Sequence, residues 1–187
     1  WIGTEDGGLN RFNLNTKEFS FFAPSAGFTN IHGLCLVDDK LWVGTFSKGL
    51  KIIDTRTGTV LKTYQKNSSP RSLIDNSIFA ICKTATGDIY LGTMFGLVRY
   101  NKQSDDFDRI PELNGKFVYD IKEDSGGNIW LATYANGAYC YNVNDRKWKN
   151  YVHDDKDNTS LPYNKVSSVF EDSHRQIWLT TQGGGFC

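Results

Sequence analysis

Short apolar segments recur along the chain, each closed by Gly, Asn or Asp, and the polar residues between them fall where turns are expected. One kind of segment is apolar almost throughout: WIGT (1–4), LWVGT (41–45), IYLGT (89–93), IWLAT (129–133) and IWLTT (177–181). Side chains of a strand alternate between faces, so Ile129, Leu131 and Thr133 share one face, and Trp130 and Ala132 the other. Both faces want burial, which predicts a strand packed between two layers. A small residue at Gly3, Gly44, Gly92 and Ala132 would leave room beside the large ring, with Thr180 as a departure. The preceding segments follow another rule, with apolar pairs three apart: Ile31 with Leu34, Ile78 with Ile81, Val118 with Ile121 and Val166 with Val169. A helical turn would satisfy that spacing. These segments end at turn signals too soon for a helix, so the spacing predicts a β-bulge or sharp twist.

The apolar strands head five copies of one unit: residues 1–13, 41–54, 89–101, 129–142 and 177–187, each running through a Gly turn into a second strand. The aromatic anchors Trp1, Trp42, Tyr90, Trp130 and Trp178 are spaced 41, 48, 40 and 48 residues apart. A period of about 40 residues built from short strands and Gly turns predicts an all-β protein, a β-propeller of four-stranded antiparallel blades. Residues 117–152 divide into FVYDIKE, NIWLAT, GAYCYNV and KWKNYV, with turns DSGG, YANG and NDR between them. By the same division 1–22 is a half blade, 31–66, 76–113 and 117–152 are blades, and 166–187 is a second half blade. The two halves could close a small ring by strand exchange, but a place within a larger propeller is the expectation, because the chain opens and closes inside a repeat. The extra residues of the long steps fall at 64–78 and 151–166, before the next repeat, and insertions at one fixed point become loops on one face.

Composition narrows the partners. The chain of 187 residues carries 21 basic and 21 acidic side chains, and this neutrality argues against nucleic acid or an anionic membrane held by bulk charge. No apolar run reaches the length of a membrane span, so no direct membrane contact is expected of this segment. Cys35 and Cys82 occupy equivalent places in successive repeats, Cys140 and Cys187 lie on other strands, and no C-x-x-C pair occurs. Such cysteines read as buried free thiols acting as small apolar side chains.

The pattern V-x-x-I-x-E-D-x-x-G-x-I-W-x-G-T-x-x-G-G-L resembles the two-component regulator propeller repeat. Val118, Ile121, Glu123, Asp124, Gly127, Ile129, Trp130, Thr133 and Gly137 carry it in one copy, and Val166, Val169, Glu171, Asp172, Ile177, Trp178 and Thr181 in another. SLIDNSI and SLPYNKV are similar to its S-L-x-x-N-x-V lead-in, while DDKLW, TATGDIY and DSHRQIW depart from it at the first turn or the aromatic anchor. The resemblance implies the periplasmic sensor region of a hybrid two-component system of Bacteroidetes. It also implies an oligosaccharide or similar small ligand, and a histidine kinase elsewhere in the parent protein.

Catalysis has little to build on. His32, His153 and His174 fall in three repeats at non-equivalent places, so no nucleophile–base pair can be nominated. The pairs Glu123–Asp124 and Glu171–Asp172 invite a two-carboxylate glycosidase reading. Their recurrence at one register instead predicts that they organise the hairpin turn that follows. The GGG of 183–185 is a turn between strands, without the following helix of a phosphate cradle. No catalytic residue, metal ligand or cofactor is expected.

Binding residues are sought where side chains vary within a constant frame. In a four-stranded blade the turn from second to third strand opens on the same face as the link between blades. The variable turn positions are Glu5 and Asp6, Phe46 and Lys48, Met94 and Phe95, Tyr134 and Asn136, and Gln182. An exposed aromatic ring with polar neighbours suits a sugar face. The alternative is that Phe46, Met94, Phe95 and Tyr134 cap the core or meet a neighbouring propeller or subunit. The other functions left open are a propeller lyase or glycoside-active enzyme, and a passive protein-interaction scaffold.

Overall fold

The computed structural model describes residues 1–22 and 30–187. Among these residues eighteen strands form five separate antiparallel sheets. The first holds β1 (Ile2–Thr4), β2 (Gly8–Phe12) and β3 (Phe19–Phe22). The second runs β4 (Ile31–Val37), β5 (Lys40–Thr45), β6 (Leu50–Asp54) and β7 (Val60–Tyr64). The third runs β8 (Ile78–Lys83), β9 (Ile89–Thr93), β10 (Gly96–Asn101) and β11 (Asp106–Arg109). The fourth runs β12 (Val118–Glu123), β13 (Ile129–Thr133), β14 (Ala138–Asn142) and β15 (Lys147–Tyr151). The fifth holds β16 (Val166–Glu171), β17 (Ile177–Thr181) and β18 (Gly185–Phe186). A short 3-10 turn, Pro111–Leu113, is the only helical element among the described residues.

Each sheet is a blade. β1 packs on β4, β4 on β8, β8 on β12 and β12 on β16, so the leading strands of successive sheets lie side by side at the inner edge of a propeller. Among the described residues the partial sheets at the two ends share no strand ladder.

Apolar residues on both faces of the second strand serve two neighbours at once. Ile129 and Leu131 join Ala80, Tyr90 and Leu97 of the third sheet, while Ala132 and Trp130 join Val166 and Val169 of the fifth. Likewise Trp42 packs with Ile89 and Leu91 toward the third sheet, and Leu41 and Val43 with Leu9 toward the first. The core is therefore divided into layers between blades.

The spacing of three is a bulge. Ile31, Ile78, Val118 and Val166 pair with Thr45, Thr93, Thr133 and Thr181, and the next pairs skip one residue on the inner strand. The extra residues are His32, Phe79, Tyr119 and Ser167, at the same place in four sheets.

The small residue of the second strand makes room for something other than the expected ring. A Cβ on Gly92 would lie 2.7 Å from Val118 Cγ1, one on Gly44 2.7 Å from Ile78 Cγ2, and one on Gly3 2.5 Å from Ile31 Cγ2. The space is filled by the β-branched residue that opens the next sheet's inner strand. Thr and Gly of the motif close the following turn together. Thr4, Thr45, Thr93, Thr133 and Thr181 each donate from Oγ1 to the carbonyl of Gly8, Gly49, Gly96, Gly137 and Gly185, at 2.6–3.0 Å. At Gly49 and Gly137 φ is +78° and +74°, and a Cβ would fall 2.1 and 2.0 Å from the carbonyl oxygens of Tyr64 and Tyr151, so only glycine fits.

Candidate functional site

The turns after β5, β9, β13 and β17 meet the links that lead into the next inner strand. Phe46, Met94, Tyr134 and Gln182 donate their backbone N–H to the carbonyls of Asn30, Ser77, Phe117 and Lys165, at 2.8–3.1 Å. Turns and links thus share one face of the propeller, here called the linker face. Turns between first and second strands, and between third and fourth, lie on the opposite face.

On the linker face six rings form a continuous stripe across three sheets. The bulged His32 stacks on the bulged Phe79, with ring centres 4.6 Å apart. Phe79 meets Phe117 at 4.5 Å and Tyr119 at 5.5 Å, and Phe46 closes on Phe79 edge-first at 6.2 Å. Phe117, Tyr119 and Tyr134 then make a near-parallel stack with interplanar angles of 17–24°. Beyond Tyr134 the Lys165 ammonium lies 4.1 Å from the ring centre, a cation–π contact. The stripe ends there because Ser167 holds the equivalent bulge in the fifth sheet. Phe46 and Tyr134 remain about two-fifths exposed, at 40% and 41%.

Of the residues expected to bind, the structure brings Phe46 and Tyr134 into this stripe. The others occupy the same face without joining it. Glu5 and Asp6 are exposed in the β1–β2 turn, where the Asp6 N–H donates to Asn30 Oδ1 at 2.8 Å. Lys48 is exposed and Asn136 half-buried, and the backbone N–H of each is held by Thr45 Oγ1 or Thr133 Oγ1 at 3.1 Å. Met94 is half-buried, Phe95 is 52% exposed and Gln182 is exposed. His32, Phe79, Phe117 and Tyr119 were missed because variation was sought only in the turns. For His32, Phe79 and Tyr119 the signal was present one residue after Ile31, Ile78 and Val118, at the position that the spacing of three leaves over; Phe117, one residue before Val118, carried no such mark.

The acidic pairs hold structure, and their two members do different work. Asp124 accepts from the N–H groups of Gly126 and Asn128 at 2.9 and 2.8 Å, and from Trp130 Nε1 at 2.8 Å. Asp172 repeats this with His174, Gln176 and Trp178 Nε1. These carboxylates organise the turn that follows, as expected. The glutamates depart from that expectation. Glu123 accepts from the Ala85 N–H of the preceding sheet at 2.7 Å, and Glu171 from Ser125 N–H and Oγ at 2.8 and 2.7 Å. They hold blade to blade. Burial opposes ionisation of Asp124, but hydrogen bonds from Asn128, Trp130 and Gly126 outweigh it and hold the carboxyl below its ordinary range.

The remaining chemistry is dispersed. His153 shares its ring nitrogens with the Leu161 carbonyl at 2.6 Å and Asp155 at 2.9 Å, and His174 sits exposed in the β16–β17 turn. All four cysteines are free thiols, with Cys140 buried, Cys35 and Cys82 half-buried and Cys187 exposed. Burial pushes the Cys140 thiol up to about 11. Among the described residues no group of three or more His, Cys, Asp or Glu could hold a metal ion, and no helix is long and apolar enough to cross a membrane.

A family described as two-component regulator propeller matches residues 72–95 and 112–135, which hold the first and second strands of the third and fourth sheets. Histidine kinase P4 of Formosa agariphila is 31% identical over 188 residues, covering 98% of this chain and 11% of the relative. The extracellular domain of a putative hybrid two-component system from B. thetaiotaomicron superposes with a TM-score of 0.81 at 24% identity, over all of this chain and 24% of that one. Virginiamycin B lyase from Staphylococcus aureus shares the fold at a TM-score of 0.58 and 16% identity, over 84% of this chain and 54% of the lyase. The chain thus spans about a tenth of the curated relative and a quarter of the first of these structures.

Proposed function

We propose that this chain, which belongs to the two-component regulator propeller family, supplies part of the ligand-recognition surface of a periplasmic sensor. The observation that carries this reading is the aromatic stripe. Docking of sheet on sheet is already supplied by Ile31, Ile78 and Val118, each buried on the neighbouring blade. The rings at the adjoining bulges, with Phe46 and Tyr134 partly exposed, add an aromatic surface on the linker face.

The ligand is an oligosaccharide. A sugar ring presents a face of C–H groups that packs on an aromatic ring, while its hydroxyls reach polar neighbours. The likeness to a histidine kinase and to extracellular domains of two-component systems supports a sensing role. The chain recognises without catalysing, its three histidines being held in three separate surroundings. A ligand changes an equilibrium only by binding one arrangement better than another. The moving element is the packing of this propeller on a neighbouring propeller or subunit, and the message passes to a histidine kinase elsewhere in the parent.

Calorimetric titration of the complete sensory region with a panel of defined oligosaccharides tests this. One class should bind, and Phe46→Ala or Tyr134→Ala should weaken it about tenfold, close to 1.4 kcal/mol. Silence across the panel overturns sugar sensing, and turnover of any sugar transfers the site to the enzyme reading.

A further inference from the structure

The second and third sheets diverge on the face opposite the stripe and leave a cleft of about 760 Å³, within the size range of small-molecule sites. The gap coincides with an irregularity in one blade. Along β6–β7 the pairing skips Leu61, so Ile52 faces Lys62 and Ile53 faces Val60, whereas β10–β11 and β14–β15 pair without interruption. Leu61 is 50% exposed and lines the cleft. Bulges that re-aim a strand in this way are concentrated beside functional sites.

The floor of the cleft is apolar: Trp42, Ile52 and Ile89, with Tyr100 edge-on to Trp42 at 5.0 Å. One wall is locked. Asp105, held at φ +57°, accepts from the hydroxyls of Tyr64 and Tyr100 and pairs with Lys62. The left-handed backbone belongs to the turn, since Lys17 and Arg146 hold it at the matching places in other sheets, so it is the bonds to Tyr64, Tyr100 and Lys62 that fix this wall.

Charge gives the cleft a sign. Asp38 is paired with Lys83 at 3.1 Å, Asp105 with Lys62, and Asp108 with both Arg71, outside the lining, at 3.1 Å and Arg99 at 3.6 Å, while Asp88 accepts from Thr86 Oγ1. Lys40 and Lys102, also on the lining, have no carboxylate partner among the described residues. Two ammonium groups are left over against one carboxylate.

We propose that this cleft is a second ligand site, separate from the stripe, taking a small molecule with an apolar ring and a single carboxylate. The ring lies on Trp42 and Ile89 beneath Leu61, and the carboxylate is met by Lys40 and Lys102. The site needs no sugar on the linker face, so its fate is independent of the sensing reading.

Phenylacetate and its neutral counterpart phenylacetamide, titrated into the full chain by saturation-transfer NMR, test the proposal. Phenylacetate should bind about tenfold more tightly than the amide, as loss of a charge-assisted contact implies. The double variant Lys40→Met/Lys102→Met, altered only at exposed positions, should abolish that preference, Leu61→Trp should block both compounds by filling the cleft, and Tyr134→Ala should change neither. Equal affinity for acid and amide, an unaltered preference in the lysine double variant, or no binding of either compound at millimolar concentration would overturn it.

Discussion

The carboxylate of Glu171, on the inner strand of the fifth sheet, reaches back to the fourth and accepts from both the N–H and the hydroxyl of Ser125. One sheet earlier, Glu123 holds the Ala85 N–H in the same manner. The bond joins the end of one inner strand to the first turn of the blade before it. Blades in a propeller meet through side chains, and this contact adds a polar bond that depends on their angular setting.

Removing it should loosen the join between blades. Glu171→Ala is expected to lower stability by about 1 kcal/mol, the partner being a solvent-exposed turn, and to raise hydrogen exchange at the Ser125 amide. A double-mutant cycle with Ser125→Ala should return a coupling energy of about 0.5 kcal/mol or more. Additive effects in urea unfolding would mean that the Ser125 hydroxyl adds nothing and that only its backbone N–H, which Ser125→Ala keeps, holds Glu171.

Asp124 and Asp172 tie stability to acid. Both carboxyls are held below their ordinary range: Asp124 because hydrogen bonds outweigh its burial, Asp172 chiefly through the indole of Trp178 and the Gln176 N–H. A group whose folded pKa is depressed contributes fully above its unfolded value, about 4, and loses that contribution as pH falls through the folded value. Unfolding midpoints should therefore drop as pH goes from about 5 to about 3, and the Asp124→Asn/Asp172→Asn variant should show a flatter fall over that window.

At the alkaline end Tyr100 sets the opposite limit. Burial, reinforced by the neighbouring Tyr64 hydroxyl, pushes its phenol up to about 12. A raised pKa gives stability that is whole below the unfolded value near 10 and disappears as pH rises through the folded one. Tyr100→Phe should flatten the loss between those two values, and ultraviolet titration of the phenolates should show one fewer late-titrating tyrosine.

Gly92 faces Val118 across the blade interface so closely that a methyl group must displace either Val118 Cγ1 at 2.7 Å or its carbonyl oxygen at 3.1 Å. Gly92→Ala should cost about 1–3 kcal/mol through overpacking. A matched Val118→Ala change, which empties the opposing side, should recover part of it in thermal unfolding.

Much of this architecture was legible in the chain because each blade repeats it. The period, the doubly apolar second strand and the spacing of three carried the sheets and even the bulge, since Ile78 with Ile81 or Val118 with Ile121 can share a face only if one residue is skipped. What the small Gly92 accommodates was not legible, because its neighbour Val118 belongs to the next repeat and meets it only after docking. The stripe was half legible: Phe46 and Tyr134 vary within a turn, but Phe79 and Tyr119 look like ordinary strand residues until the bulge turns them outward. The cleft was hidden altogether. It assembles Trp42, Leu61, Tyr100 and Lys102 from two blades, and its opening lies beside a skipped residue in β7 that no periodicity announces.

Phe79 is the ring on which the stripe depends, since it touches His32, Phe46, Phe117 and Tyr119. The fifth sheet shows what the same position does without a ring, where Ser167 bonds to Thr180 instead. Copying that arrangement with Phe79→Ser should leave the blade intact, because Ile78 and Ala80 still pair with Thr93 and Gly92. Stability should fall by about 2–3 kcal/mol for the lost aromatic burial. Oligosaccharide affinity of the complete sensory region should fall about tenfold or more as the stripe is cut in two. Calorimetry beside thermal unfolding separates the outcomes: a stability loss with unchanged affinity would make Phe79 a packing residue and confine recognition to the Phe117–Tyr134 end.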